Sequence, residues 1–303
     1  MDTNIVFMGS PEFALPILEE LHKSFPITGV VTQPDRPSGR GRKMQAPAIK
    51  TLANQLDIPV IQPESLRDKA AILALCDFKP DLIVVAAYGQ ILKPAILDLP
   101  KFGCVNVHAS LLPRWRGAAP IQAAILAGDA RTGVTIMRMG PGLDDGPIIT
   151  QRDVPLRPGT TGGELSDQLS YLGAMTLIEV LPSYLKGLLA PMPQDDSLAT
   201  YAPRLQKSDG IIDLTWPAEK IVRQVLAYNP WPGTFYEVAG MRLKVHGAHA
   251  HDTFQSEVGA HYIVNGLPAL GTAEGLLVLE LVQPEGKKVM SGDAYLNGLV
   301  NWL

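Results

Sequence analysis

The chain has 303 residues, of which 46% are hydrophobic and 18% are charged, and its formal net charge is −4. This composition is typical of folded globular proteins and excludes an intrinsically disordered chain, while the length favours two domains or one large α/β unit. Because the net charge is slightly negative, any contact with nucleic acid requires a local basic patch. The two cysteines, Cys76 and Cys104, have no C-x-x-C partner, which fits a reducing compartment better than a disulfide framework.

The amino terminus carries no sign of a targeting segment. Residues 1–7 lack a positively charged stretch followed by a long apolar run. The longest strongly apolar stretch, residues 82–87, is much shorter than the roughly 20 residues that span a bilayer. We therefore expect a cytoplasmic protein without a membrane partner.

The first part of the chain alternates between strand-like and helix-like patterns. Runs rich in valine and isoleucine predict strands at 4–9, 27–32, 82–86, 103–108 and 132–139, with an extended segment at 148–154. Amphipathic stretches predict helices at 13–22 and 69–78, and a long helix at 164–189 interrupted near Pro182. This alternation predicts an α/β fold with a doubly wound, mostly parallel, Rossmann-like sheet. Ligands of such sheets bind beyond the carboxyl ends of the strands.

The part of the chain from residue 190 onward has a different sequence pattern. A stretch rich in proline and polar residues, 190–197, predicts a linker. After a helix at 218–227, short runs at 234–238, 241–246, 259–264 and 276–282 predict a small antiparallel β-barrel of OB-like type, closed by a helix near Ser291. We therefore predict a catalytic domain at 1–189, a linker at 190–207 and a C-terminal β-barrel domain at 208–303.

Two polar side chains share one face at the end of a predicted strand. Successive strand residues alternate between faces, so Asn106 and His108 point one way while Val105 and Val107 point the other. The alternative is a structural role, in which both side chains form hydrogen bonds with neighbouring backbone groups. That would be the usual explanation for an isolated asparagine or histidine. Their shared face and the turn-rich segment 110–117 favour a functional site.

A second polar cluster, residues 140–146, follows the predicted strand 132–139 and contains Asp144. We expect it beyond a carboxyl end as well, although the sequence alone allows a simple turn. An amide, an imidazole and a carboxylate suit the transfer of an acyl-like group between nitrogens. Asn106 can donate to the oxyanion, a role worth about 10²–10³ in rate, while His108 and Asp144 can move protons. Which of His108 and Asp144 is the base stays open.

Several motifs along the chain match one family. They are Q-P-D-R-P at 33–37, A-Y-G at 87–89, N-V-H at 106–108, S-L-L-P-R-W-R-G-A-A-P-I at 110–121, G-L-D at 142–144 and N-P-W-P at 229–232. With these motifs the sequence resembles the methionyl-tRNA formyltransferase family over nearly its whole length. The N-V-H, Asp and S-L-L-P elements are shared with other formyltransferases that use 10-formyltetrahydrofolate, so by themselves they identify only the donor.

The resemblance implies transfer of the formyl group of 10-formyltetrahydrofolate to the amino group of methionine on initiator tRNA, for translation initiation. It implies catalytic roles for Asn106, His108 and Asp144, with no metal ion and no obligate protein partner. It also implies a folate site formed by residues from the stretches 88–92 and 110–113, together with Gly140. Its residues are Tyr88, Gly89, Gln90, Leu92, Ser110, Leu111, Leu112, Pro113 and Gly140.

A basic loop lies between residues 33 and 47, where Asp35 is the single acid. Its cations are Arg36, Arg40, Arg42 and Lys43. A solvated loop without function is the usual explanation of such a charge run. By the resemblance, however, this loop engages the acceptor arm of the tRNA, Phe13 shapes the methionine pocket, and the C-terminal domain holds the tRNA.

Three other interpretations use different sequence features. The same donor chemistry could serve another amine or water, and the basic loop and second domain argue against it. A catalytically inactive RNA-binding protein would not need Asn106, His108 and Asp144. A metal site at His246, His249 and His251 has suitable ligand types, but these residues fall at a predicted strand end, and the reaction needs no metal.

Overall fold

The computed structural model describes residues 3–38, 43–238, 240–252, 256–299 and 302. The chain folds into two compact units, one formed by residues 1–120, 131–155 and 166–202 and the other by 121–130, 156–165 and 203–303. Within the described ranges, no helix is long and apolar enough to cross a membrane.

The strands are β1 (Ile5–Gly9), β2 (Ile27–Val31), β3 (Arg36–Ser38), β4 (Lys43–Gln45), β5 (Val60–Ile61), β6 (Leu82–Ala86), β7 (Cys104–His108), β8 (Arg116–Gly117), β9 (Arg131–Arg138), β10 (Ile148–Pro155), β11 (Tyr201–Ala202), β12 (Thr234–Val238), β13 (Met241–His251), β14 (His261–Val264), β15 (Leu267–Gly271), β16 (Leu276–Pro284) and β17 (Met290–Ser291). The α-helices are α1 (Leu15–Ser24), α2 (Ala48–Gln55), α3 (Lys69–Asp77), α4 (Pro94–Leu97), α5 (Pro120–Ala127), α6 (Gly162–Leu185), α7 (Ala218–Ala227) and α8 (Gly292–Asn297).

The first unit is built on a seven-stranded sheet with the order β10-β9-β7-β6-β1-β2-β5. Strands β5, β2, β1, β6 and β7 are parallel, while β9 runs antiparallel to β7 and β10 antiparallel to β9. The predicted mostly parallel sheet is therefore confirmed. The spacing of apolar residues located its central strands well, because a strand buried on both faces is a continuous apolar run.

Alternate strand residues divide between the two faces of this sheet. Phe7 and Val107 pack with helices α1, α2 and α6 on one face. Met8, Ile83 and Cys104 pack with α3 and α4 on the other. Helices therefore cover both faces, as the alternation of patterns predicts, and Asn106 and His108 lie on the face that Cys104 shares.

The helix near Pro182 differs from its prediction. Helix α6 is continuous through Pro182 and ends at Leu185, so the predicted interruption is wrong. Proline lacks a backbone N–H, but its carbonyl still accepts a hydrogen bond, and the N–H of Lys186 donates to the Pro182 oxygen at 3.3 Å. The proline therefore lies in the last turn of the helix instead of dividing it.

The second unit contains an antiparallel sheet with the order β12-β13-β16-β15-β14, and β17 pairs with β16. Helix α7 places Ile221 and Val225 in the core beneath it, together with Leu243 and Leu279. Helix α8 begins after Ser291, close to the predicted position. The antiparallel class is confirmed, and closure into an OB-like barrel stays a prediction.

Candidate active site

Strand β7 carries the two polar residues that the sequence singles out. Asn106 is 8% exposed and His108 5% exposed, so both lie in the sheet and not on its surface. Asn106 pairs with Val85 of β6 on one side and with Met137 of β9 on the other. Within the described part of the chain no hydrogen bond occupies the Asn106 amide, so its donors remain available to a ligand.

The imidazole of His108 has a defined partner on one side. Its Nε2 lies 3.0 Å from the backbone oxygen of Trp115. Because a carbonyl oxygen only accepts hydrogen bonds, this contact requires a hydrogen on Nε2. The other nitrogen, Nδ1, faces Oδ2 of Asp144 at 3.7 Å. Nδ1 is therefore the ring atom that can take up or release a proton.

Asp144 lies in the connection between β9 and β10. Because β9 is antiparallel, this connection starts at the opposite end of the sheet from the carboxyl end of β7. The connection follows the carboxyl end of β9, as the sequence predicts, but that end does not lie at the edge where the parallel strands end. The connection folds back far enough for Asp144 to reach His108, and Asp144 has a backbone φ of +50°, a value that aspartate tolerates better than most residues.

A three-residue segment between Ser110 and α5 contacts both members of this pair. Trp115 offers its carbonyl oxygen to His108, and the backbone N–H of Gly117 donates to Oδ2 of Asp144 at 2.8 Å. Gly117 has a φ of +118°, and a Cβ there would lie 2.5 Å from the Ala202 oxygen, so only glycine fits. The segment therefore sets the separation between the imidazole and the carboxylate.

A pocket of about 80 Å³ opens beside Asp144. It is lined by Gln90, Ile91, Leu92, Met137, Met139, Gly140, Gly142, Leu143 and Asp144. The stretch 90–92 after β6 and the end of β9 with the β9–β10 connection, which are distant in sequence, therefore meet at one cavity. The mostly apolar walls, with Gln90 and Asp144 as the polar side chains among them, suit a flat heteroaromatic ring.

Four residues predicted for the folate and catalytic sites are brought together there: Gln90, Leu92, Gly140 and Asp144. Sequence reasoning missed Met137 and Met139. Met137 follows from strand pairing, because it is the residue opposite Asn106 in β9. That register is a property of the sheet, and the sequence of β9 by itself carried no signal for it.

The other predicted folate residues are not among those that line the cavity. Tyr88 is 2% exposed, and its hydroxyl has no hydrogen-bond partner among the residues that the structure describes. Burial raises its pKa well above the ordinary value, so the phenol stays neutral. Gly89 continues the turn with a φ of +83°. Ser110 is 1% exposed and donates its hydroxyl to the backbone oxygen of Arg114 at 2.6 Å.

The segment from Ser110 to Pro113 is held by one buried threonine. Thr135 donates its hydroxyl to the Ser110 oxygen at 2.7 Å and accepts the backbone N–H of Leu112 at 3.1 Å. Gln151 donates to the same hydroxyl at 2.9 Å. The side chain of Leu111 lies against Gly133, and the peptide bond between Leu112 and Pro113 is cis.

The basic loop begins and ends as a two-stranded hairpin. Arg36 of β3 pairs with Gln45, and Ser38 pairs with Lys43 of β4. Directly opposed residues and residues two apart share a face, so Arg36 and Lys43 lie on the same face of the hairpin. Arg36 also contacts Glu64 at 2.7 Å. Arg40 and Arg42 lie outside the described residues.

Phe13 belongs to a short 3₁₀ helix, Glu12–Ala14, directly after β1. Its side chain is partly buried against the core of the first unit, and its backbone oxygen accepts the hydroxyl of Ser170 at 2.5 Å. In the second unit, His249 contacts Glu280 at 2.8 Å and His246 contacts Gln283 at 3.2 Å. Two of the three histidines in that strand, His246 and His249, therefore face an amide and a carboxylate partner from β16.

Two further polar residues adjoin the site and were not predicted. Arg116 is buried, and Gln194 donates to the backbone oxygens of Asp144 and Gly146. The place of Arg116 inside the S-L-L-P-R-W-R-G motif was the one signal in the sequence, since its burial, which requires a dedicated partner, is visible only in the structure. Gln194 lies in the proline-rich stretch, and nothing local in that stretch distinguishes it.

Comparisons with known proteins give a consistent result. The family model described as Formyl transferase matches residues 3–181, and the model described as Formyl transferase, C-terminal domain, matches residues 204–300. The chain is 45% identical over 303 residues to the methionyl-tRNA formyltransferase of Roseiflexus sp. (strain RS-1), covering 99% of this chain and 93% of the relative. It is 46% identical over 301 residues to the methionyl-tRNA formyltransferase of Stutzerimonas stutzeri (strain A1501), covering 96% and 93%.

A solved structure agrees with the fold. The N-formyltransferase from Helicobacter canadensis, in complex with folinic acid and dTDP-3-aminofucose, superimposes with a TM-score of 0.66 and covers 94% of this chain and 100% of its own. At 17% sequence identity this likeness shows the fold alone. The identities near 45% over almost the full length of both chains are far more specific. The chain belongs to the methionyl-tRNA formyltransferase family.

Proposed function

We propose that the protein transfers the formyl group of 10-formyltetrahydrofolate to the free amino group of methionine on initiator methionyl-tRNA. The observation that carries this proposal is the grouping of Asn106, His108 and Asp144 beside a mostly apolar pocket. The high identity to enzymes named methionyl-tRNA formyltransferase supports the choice of acceptor. The donor is a substrate that leaves as tetrahydrofolate.

The reaction exchanges one C–N bond for another. The acceptor amine attacks the formyl carbon, the formyl oxygen becomes an oxyanion, and the bond from that carbon to the folate nitrogen then breaks. The proton released by the attacking amine ends on the leaving nitrogen, so atoms and charge balance. The protein must therefore stabilise one oxyanion and move one proton.

The side chains supply these two tasks separately. Asn106, whose amide makes no hydrogen bond to the described residues, donates it to the oxyanion. Nδ1 of His108 and the carboxylate of Asp144 face each other at 3.7 Å and together handle the proton. Because Oδ2 of Asp144 already accepts the N–H of Gly117, its Oδ1 is the oxygen available to the incoming amine.

The proposed donor site is the pocket that Gln90, Leu92 and Gly140 line, and the donor's ring would lie there between the turn after β6 and the β9–β10 connection. The turn after β6, with Tyr88 and Gly89, and the segment from Ser110 to Pro113 would support this site without lining the pocket. The mechanism proposed for these residues uses no metal ion.

For the acceptor, we propose that residues 1–189 perform the chemistry, that residues 208–303 hold the tRNA, and that 190–207 connect them. The matched ranges of the two family models support this division. The hairpin that presents Arg36 and Lys43 on one face supports a role in phosphate contact, together with Arg40 and Arg42. Phe13 would line the methionine pocket, and the protein would act in the cytoplasm without a protein partner.

The proposal is tested by transfer of labelled formyl from 10-formyltetrahydrofolate to purified tRNAs. Labelling of initiator methionyl-tRNA is compared with labelling of elongator methionyl-tRNA. The assay is run with the native protein, with His108→Ala, and with the control His22→Ala, which removes an exposed histidine of α1. We expect selective labelling of the initiator that is lost in His108→Ala and retained in His22→Ala. Donor cleavage without any labelled tRNA would instead support a small amine or water as acceptor.

A further inference from the structure

The side chain of Gln194 uses both ends of its amide. Its Nε2 donates to the backbone oxygen of Asp144 at 2.8 Å and to that of Gly146 at 2.7 Å. Its Oε1 accepts from Nε of Arg116 at 3.1 Å and from Nη2 at 2.9 Å. One amide group therefore joins the β9–β10 connection to the segment that precedes α5.

Arg116 completes this arrangement from the other side. Its side chain is 4% exposed, and its Nη2 also contacts Asp196 at 2.7 Å. Burial opposes the charged form of Arg116, but the hydrogen bonds with Asp196 and Tyr201 raise its pKa overall, so the guanidinium stays charged. The residues on either side of Arg116 make the two contacts that hold His108 and Asp144 in place.

The stretch that carries Gln194 is itself fixed to the first unit. Met192 and Ile148 exchange two backbone hydrogen bonds, at 2.7 and 2.8 Å. Further along, the Thr200 oxygen accepts the N–H of Arg116 at 2.8 Å, and its hydroxyl accepts the N–H of Trp115 at 2.9 Å. Gln194 therefore lies on a segment whose backbone is held on both sides of it, which places its side chain beside Asp144.

From these contacts we propose that Gln194 is a positioning residue for Asp144. It does not touch the reacting atoms. It holds the carbonyl oxygens of Asp144 and Gly146, and so fixes the backbone of a residue that sits at a φ of +50°. Since the separation between His108 and Asp144 governs proton movement, a shift of this backbone lowers turnover. This inference rests on the proposed formyl transfer, because Asp144 is assigned its role there.

The substitution Gln194→Glu separates the two ends of the amide. A carboxylate still accepts from Arg116 and forms an ion pair with it, so the fold keeps its partner for a buried cation. The same carboxylate has no hydrogen to donate and faces two carbonyl oxygens, which repel it. The connection that carries Asp144 therefore loses its support while the packing of Arg116 is maintained.

The experiment measures kcat and KM for both substrates and the melting temperature of the native protein, Gln194→Glu and Gln55→Glu, which adds the same charge at an exposed position of α2. We expect kcat of Gln194→Glu to fall about 10- to 100-fold, with both KM values within about threefold and the melting temperature nearly unchanged. Gln55→Glu should match the native protein. Unchanged turnover in Gln194→Glu overturns the positioning role.

A double substitution shows whether Gln194 acts through Asp144. In the Asp144→Asn background, adding Gln194→Glu should lower kcat by less than about twofold, because residues that act as one unit are not additive. A further fall as large as in the native background would contradict the proposal. If Gln194→Glu does not fold, Gln194→Asn, which keeps both ends of the amide but is shorter, takes its place with the same expectations. Absence of formyl transfer by the native chain would instead overturn the proposed function.

Discussion

The Nδ1 atom of His108 faces Oδ2 of Asp144 across 3.7 Å, which is too long for a hydrogen bond and short enough for attraction between an imidazolium and a carboxylate. The two side chains stay apart because each has another hydrogen bond. His108 donates to the Trp115 oxygen, and Asp144 accepts the N–H of Gly117. Trp115 and Gly117 are nearly adjacent in the chain, so one short segment sets the distance.

Replacing Asp144 by asparagine should lower turnover by about two orders of magnitude or more. Asparagine keeps an oxygen for the N–H of Gly117, so the turn should persist, but it removes the negative charge opposite His108 and a proton acceptor. The measurement is kcat with saturating substrates, alongside the circular dichroism spectrum. Asp145→Asn, at the exposed neighbouring position, is the control and should retain native turnover. Near-native turnover of Asp144→Asn would remove Asp144 from the mechanism.

Removing the Asn106 amide should lower kcat about 10²- to 10³-fold, because the oxyanion then loses a donor placed in a buried site. The donor affinity of Asn106→Ala, measured by equilibrium dialysis with tetrahydrofolate, should change little. Asn54→Ala, at an exposed position of α2, provides the comparison. A variant that loses folate affinity while kcat stays native would assign Asn106 to binding.

The hairpin arginine and lysine should affect tRNA binding through charge alone. Arg36→Ala and Lys43→Ala should each weaken tRNA binding and reduce the slope of log K against log salt by about 1, one phosphate contact each. Binding is measured by filter retention at several salt concentrations, with the exposed Arg67→Ala as control. Glu64→Gln should leave tRNA affinity unchanged or tighter, since Glu64 competes for Arg36. Unchanged salt slopes in both hairpin variants would contradict this role.

The buried hydroxyl of Thr135 should contribute measurably to stability. It is fully buried and uses its one donor and both acceptor positions, toward Ser110, Leu112 and Gln151. Thr135→Val keeps the shape but leaves the Leu112 N–H without an acceptor, which should lower the free energy of unfolding by about 1–3 kcal/mol. Urea unfolding measures this difference. Thr51→Val, at an exposed position of α2, should change it by less than about 0.5 kcal/mol.

Cys104 should be inert to alkylation in the folded protein. Burial raises the pKa of its thiol from 9.0 to about 12, so at pH 9 it remains protonated and inaccessible. Cys76 is only partly buried and should react with iodoacetamide at that pH. Mass spectrometry of peptides should find Cys104 modified only after unfolding in guanidinium. Modification of Cys104 at the rate of Cys76 under native conditions would show that its strand opens readily.

Local patterns in the sequence determined much of this architecture. The central strands and the shared face of Asn106 and His108 follow from a period of two residues, which is a local property of any strand. After residue 190 the pattern of predicted strands and helices changes, and this change likewise separated a mostly parallel sheet from an antiparallel one. The family motifs added the assignment of Asp144 to the same site.

Only the tertiary structure decided how the remaining parts meet. Periodicity does not encode strand direction, so the antiparallel course of β9, and with it the path that returns Asp144 to His108, could not be read from residues 131–146. The same holds for Gln194, which lies 50 positions from Asp144 in the chain. Its side chain can donate to the Asp144 oxygen because neighbouring residues hold its segment in place through backbone hydrogen bonds. Such contacts depend on the packing of whole elements, whereas the sequence by itself determined the central strands and the polar face of β7, because both follow from local residue patterns.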